Sequence, residues 1–260
     1  MDYFKKYDEN PFSDLRWNIP ERKQGTVAIM GGNAQNFRTP IRIAEWMTTS
    51  YPIESVRVVL PNALENKLPP LPNLTFLSST ESGSFSKADE IASALEAADF
   101  SLIIGDLSRN AVTAKAVGEV CKKIPRPLMI TRDAVDLLIS EINEATLMNN
   151  NLILIASMAQ LQKLFREVYY PKMLTMTQPL PQIVEALHKF TLSYPVKIAT
   201  LFNNQILLAE NGEVVAVPLE KTGYSPLTIW SGEFASKILI YNLFNPSAFM
   251  RSAVCASFLE

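Results

Sequence analysis

Two small-residue turns carry the chemistry this sequence could perform. Gly31-Gly32-Asn33 follows the apolar run Thr26–Met30, and Ser231-Gly232-Glu233 opens a helical stretch. A glycine pair after a strand lets backbone meet a ligand closely, at the carboxyl end of a strand where open α/β sheets hold their ligands. A small-residue turn at a helix N-terminus points free N–H groups outward, and the macrodipole there favours an anion. Glu233 adds a carboxylate beside that turn. Each turn also has a plain structural account. Gly-Gly is sufficient for a tight turn between strand and helix, and Ser231 is an ordinary helix cap with Gly232 and Glu233 in the first turn. Asp106, at a strand end, and Asp133, before a helix, are placed to hold magnesium or a ribose and are equally good as caps. Arg38 lies beside the first glycine turn, where a guanidinium would meet an anion.

What is missing narrows the field. The single histidine, His188, sits in an amphipathic helical stretch, Pro181–Tyr194. Zinc sites need several ligands at set spacings, and a Ser-His-Asp hydrolase needs a nucleophile elbow, so neither class is expected. No G-x-G-x-x-G dinucleotide fingerprint and no P-loop occurs. The charge balance is 24 Lys and Arg against 26 Asp and Glu, with no basic stripe for nucleic acid. No apolar run reaches the ~18–20 residues that span a bilayer, and the polar start does not suit a secretory signal. Cys121 and Cys255 lack metal-ligand spacing and are expected as reduced thiols of a cytoplasmic protein.

These turns must be positioned by alternating elements. The 260 residues are 48% hydrophobic, enough for a sizeable core. Residues 1–24 read as an extended lead-in. Strands are expected at Thr26–Met30, Ser55–Leu60, Leu74–Leu77, Ser101–Ile104, Leu128–Thr131 and Leu152–Ala156. Helices are expected from a Thr39 cap with Pro40 first, at Ser86–Ala98, at Ala111–Lys123 and from Asp133. This alternation predicts one α/β domain over residues 25–260, with a doubly wound, mostly parallel sheet and helices on both faces. The pattern then changes. Val196–Leu201 and Gln205–Leu208 flank Asn203-Asn204, and Glu213–Pro218 follows Asn211-Gly212, which predicts an antiparallel edge hairpin. Two helices, Gly232–Phe244 and Pro246–Phe258, close the chain.

Several stretches, taken in order, resemble the ADP/ATP-dependent NAD(P)H-hydrate dehydratases, a branch of the ribokinase-like enzymes. Arg22–Asn33 is similar to the family's lead-in, apolar strand and Gly-Gly-Ser turn, with Asn33 at the serine. Ala98–Leu107 is similar to its Ala-Asp-x-x-x-x-Gly-Pro-Gly segment, without the proline and later glycines. Asp133-Ala134-Val135 stands where the family writes Asp-Ala-Asp-Ala-Leu. Its Thr-Pro-His-x-Gly-Glu segment falls near Ala156–Gln160, where these residues are replaced. Trp230-Ser231-Gly232-Glu233 resembles Gly-Thr-Gly-Asp.

The resemblance covers about residues 20–258 and implies a ribokinase-like fold. It implies ATP or ADP with Mg2+ as cofactors, phosphates at Ser231 and Gly232, and Glu233 as the base. It places substrate against Gly31, Gly32, Asn33, Asp106 and Asp133, and suggests a homo-oligomer. The implied activity is dehydration of hydrated NAD(P)H. Two alternatives stay open: a diverged binding or assembly protein without catalysis, and a small-alcohol kinase of the same fold.

Overall fold

The computed structural model describes residues 2–258. Met1 of the expected lead-in, and Leu259 and Glu260 of the expected domain, lie outside the described residues. The first half runs β1 (Phe4–Lys6), β2 (Thr26–Gly31), α1 (Arg38–Ser50), β3 (Ser55–Pro61), β4 (Leu74–Leu77), α2 (Ala88–Glu96), β5 (Phe100–Gly105), α3 (Ala111–Lys123), β6 (Leu128–Thr131) and α4 (Asp133–Ser140). The second half runs α5 (Glu144–Leu147), β7 (Leu152–Ile155), α6 (Met158–Glu167), α7 (Leu180–Ser193), β8 (Lys197–Phe202), β9 (Gln205–Glu210), β10 (Glu213–Pro218), α8 (Pro226–Trp230), α9 (Glu233–Phe244) and α10 (Phe249–Ser257).

The strands form one 10-stranded sheet in the order β1-β10-β9-β8-β7-β6-β5-β2-β3-β4. Neighbours from β8 across to β4 are parallel. The β8-β9-β10 edge is antiparallel, as expected. Its tight turns use Asn203 and Asn204 at φ 46° and 57°, then Asn211 and Gly212 at 48° and 80°. Both central residues of each turn therefore take the positive φ that matches strand twist in a two-residue hairpin.

Strands β5, β6 and β7 are buried along their whole length. That is the consequence of covering a parallel sheet on both faces. Along β5, Ile103 packs with α2, α3, α4 and α6, while Leu102 and Ile104 pack with α1, α9 and α10. Strand order reverses at β2, with β3 and β4 on one side and β5 on the other. The carboxyl ends of β2 and β5 thus form the topological switch point, where open α/β sheets take ligands.

Local departures from expectation have local causes. Helix α1 begins at Arg38 after Phe37, with no side-chain cap, so Thr39 is a first-turn residue. The preceding loop is held instead by Asn33 Oδ1, which accepts from the N–H groups of Gln35 at 2.9 Å and Asn36 at 3.1 Å. The last helix starts at Phe249 because Ser247 takes φ 63°. The lead-in is integrated into the fold. β1 pairs with β10, and a 3-10 turn over Ser13–Asn18 buries Leu15. Tyr3 stacks on His188 with centroids 3.6 Å apart, and His188 Nδ1 also hydrogen-bonds Gly212 O. No helix among the described residues is long and apolar enough to cross a membrane.

Candidate functional site

Gly31 and Gly105 end β2 and β5 as register partners, and Gly32 N–H donates to Gly105 O at 2.9 Å. A methyl group on Gly31 would stand 2.7 Å from Gly105 O and 2.9 Å from Ile104 Cγ2, so strand packing alone demands glycine there. Gly32 has φ 88°. Asn33 is buried, and its Nδ2 donates to Asp106 O at 2.6 Å. Its side chain therefore laces the loop after β2 to the loop after β5.

The second turn arrives at the same edge. Gly232, at φ 98°, is the N-cap of α9, and a Cβ there would lie 2.8 Å from Ile104 Cδ1. One side chain, Ile104, thus abuts both Gly31 and Gly232. At the opposite edge, a Cβ on Gly25 would meet Leu243 near the end of α9. Helix α9 therefore runs antiparallel to the strands, with its N-terminus at their carboxyl ends.

Ser231 stands one position before the N-cap of α9, which is Gly232. Its Oγ donates to Thr228 O at 2.8 Å, closing α8, and accepts a long hydrogen bond from Glu233 N–H at 3.4 Å. Trp230 is half-buried and packs against the core on the α9 side. Glu233 Oε1 accepts from Arg42 Nη1 of α1 at 2.9 Å, in a half-exposed ion pair that ties the two turn-bearing helices together.

The aspartates are also engaged. Asp106, at φ 58°, pairs through Oδ1 with Arg132 Nη2 at 2.7 Å. Asp133 Oδ1 accepts from Asp106 N–H at 2.8 Å and Oδ2 from Leu107 N–H at 3.0 Å. The concave backbone turn after β5 is the kind of nest that binds anions, and here the chain's own carboxylate fills it. Arg38 is exposed on the first turn of α1.

Beside this edge, a cavity of about 630 Å³ is lined by Arg109, Asn110, Asp136, Ser140 and Lys163 among others. Burial alone would raise the Asp136 carboxyl, but hydrogen bonds from Lys163 and Gln160 outweigh it and hold the group below its ordinary value. The segment expected to match Thr-Pro-His-x-Gly-Glu is a helix start. Ser157 and Gln160 form a reciprocal capping box on α6. Gln160 Nε2 also donates to Arg132 O at 2.8 Å.

Sequence reasoning missed Arg42, Arg132 and Ile104. Arg132 had one local signal, a charged residue between a buried strand and a helix-opening aspartate. At the α9 start, φ 98° and the Ile104 side chain, which occupies the space a Cβ would take, together require glycine at 232. Magnesium does not fit a protein-held cage. No group of three or more His, Cys, Asp or Glu converges among the described residues. Asp106 and Glu233 each face an arginine.

This edge geometry and strand order define the ribokinase-like α/β fold. A ribokinase-like superfamily protein from Enterococcus faecalis V583 superposes with TM-score 0.66 at 15% identity, covering 98% of this chain and 85% of that one. A hypothetical protein from Streptococcus mutans superposes at 0.64 and 14% identity, covering 96% and 87%. Bacillus subtilis pyridoxal kinase, solved as an ADP complex, gives 0.50 and 10% identity over 91% and 89%. No protein-family model and no curated protein sequence matches the chain.

Proposed function

We propose that this chain is a nucleotide-dependent enzyme acting on a small hydroxylated molecule in the crevice above β2 and β5. The observation that carries the reading is Ile104, which abuts Gly31 and Gly232 and so joins two turns far apart in sequence. A helix N-terminus with a glycine cap suits the phosphate chain of ATP or ADP. Gly232 and the first-turn N–H groups of α9 would hold it, with Ser231 beside them. Gly32, Asn33 and Asp106 would flank the substrate. Asp133 acts one step back by fixing the Asp106 loop.

Phosphoryl transfer to a small alcohol is the chemistry that this geometry supports best. Glu233 is the carboxylate at the helix start, and it takes the proton of the substrate hydroxyl. Arg42 fixes its orientation. The nucleotide, when bound, supplies the transferable phosphoryl group. The ADP complex of a kinase with this fold is in keeping with that reading.

A second reading, dehydration of hydrated NAD(P)H, is favoured by the order of the motifs along residues 20–258. It uses the same turns and the same carboxylate. Purified protein with ATP and magnesium is offered pyridoxal and a panel of small alcohols, and separately NADH hydrate. ADP release with an alcohol supports the kinase, whereas recovered NADH supports the dehydratase. In either case Glu233→Gln is expected to lower kcat about 100-fold or more. No turnover with any of these substrates defeats both readings and leaves a non-catalytic binding protein.

A further inference from the structure

Arg132 is held in an unusual state. It follows β6 as the residue before α4, at φ 58° and ψ −140°, a conformation that residues with a Cβ rarely adopt. Its ion-pair partner, Asp106, has φ 58° at the end of the neighbouring strand β5. The pair is partly buried, with side-chain exposures of 24% and 17%. Gln160, itself fixed by the α6 capping box, holds Arg132 O. Strain supported from several sides marks a position whose geometry is used.

The guanidinium is only half engaged. Nη2 bonds Asp106, whereas Nη1 is buried without a hydrogen-bond partner. The adjacent Thr131 is fully buried, and its Oγ1 also has no partner. Orphaned donors of this kind are costly when they stay unmet. The two atoms belong to successive residues where β6 gives way to α4, beside the switch point, and the guanidinium there has a hydrogen-bonding arm to offer.

We propose that Arg132 is an anion-binding residue that receives a phosphoryl oxyanion through Nη1, with Asp106 orienting the guanidinium through Nη2. A planar fork with one arm fixed and one arm free is pre-organised for such a ligand. The inference deepens the nucleotide reading of this crevice, yet its simplest ligand, pyrophosphate, tests it without that reading.

Pyrophosphate and ATP are titrated calorimetrically into the full chain and into Arg132→Lys and Asp106→Asn. Arg132→Lys is expected to weaken pyrophosphate about tenfold or more, because lysine loses the fork geometry. Asp106→Asn keeps an Oδ1 acceptor to orient Nη2 and removes a competing charge, so it is expected to bind pyrophosphate about tenfold more tightly. A purely structural Arg132–Asp106 pair predicts the reverse for Asp106→Asn, a looser loop with weaker or unchanged binding. Should Arg132→Lys not fold, that opposite sign still decides. ATP binding that survives Arg132→Lys unchanged, with no gain in Asp106→Asn, overturns this role and leaves the nucleotide reading standing. Arg132-dependent pyrophosphate binding without ATP binding does the opposite. Binding of neither overturns both.

Discussion

Three carboxylates of the crevice are each claimed by the protein's own donors, and each claim has a different consequence. Glu233 faces Arg42 in a half-exposed pair, which exchanges with solvent and ligand at little cost. Asp106 orients Arg132. The two oxygens of Asp133 accept two backbone N–H groups of the loop after β5. Hydrogen bonds to a charged acceptor contribute about 1.5–3 kcal/mol, so Asp133→Asn is expected to destabilise the fold by about that amount in urea titration. An unchanged midpoint would mean the loop does not depend on that carboxylate. The aspartates and Glu233 were legible in the sequence as strand-end and helix-start carboxylates. Their partners were not. Glu233 meets Arg42 across 191 positions of chain, and Asp106 meets Arg132 across 26. Periodicity and capping signals act over a few residues and carry no information at that range.

Elements were legible where backbone chemistry is local. Asn203-Asn204 and Asn211-Gly212 announce hairpins because few residues accept positive φ, and both hairpins form. The start of α1 was misplaced because Asn33, six positions before Thr39, satisfies loop N–H groups ahead of the helix. Helix α2 offers a test of how such tethers work. Glu90 accepts from Lys87 Nζ at 2.7 Å and from Ser78 N–H and Oγ at 2.8 and 2.9 Å, anchoring α2 to the end of β4. Lys87 first, then Ser78, holds the Glu90 carboxyl down to about 2. A carboxyl lowered by folding contributes stability that is present above its ordinary value of 4.5 and lost as pH falls from there towards about 2. The melting temperatures of the natural chain and Glu90→Gln are therefore expected to differ at neutral pH and to draw together as pH falls from 4.5 towards about 2. A gap that is constant with pH would show that the charge plays no part.

At the scale of the molecule, the alternation of strands and helices foretold a parallel sheet, but not which strand would stand on the free side of β2. Placing β5 there creates the switch point. Running α9 antiparallel to the strands then delivers Gly232 to the same edge as Gly31. Both steps depend on buried shape, chiefly Ile104 against two glycines, and no spacing rule encodes that contact. The lead-in shows the same limit. Phe4–Lys6 looks like any polar start, yet it pairs with β10 because that edge strand offers unpaired backbone.

The meeting of the two turns is tested most directly by calorimetric titration of ATP and ADP, each with magnesium, into the full chain, alongside its melting temperature. Saturable binding of one nucleotide per chain is expected, with stabilisation approaching about 2.7 kcal/mol at a hundredfold excess over Kd and a melting shift of several degrees. Absence of heat and an unmoved melting temperature at millimolar nucleotide would contradict a nucleotide site at the start of α9.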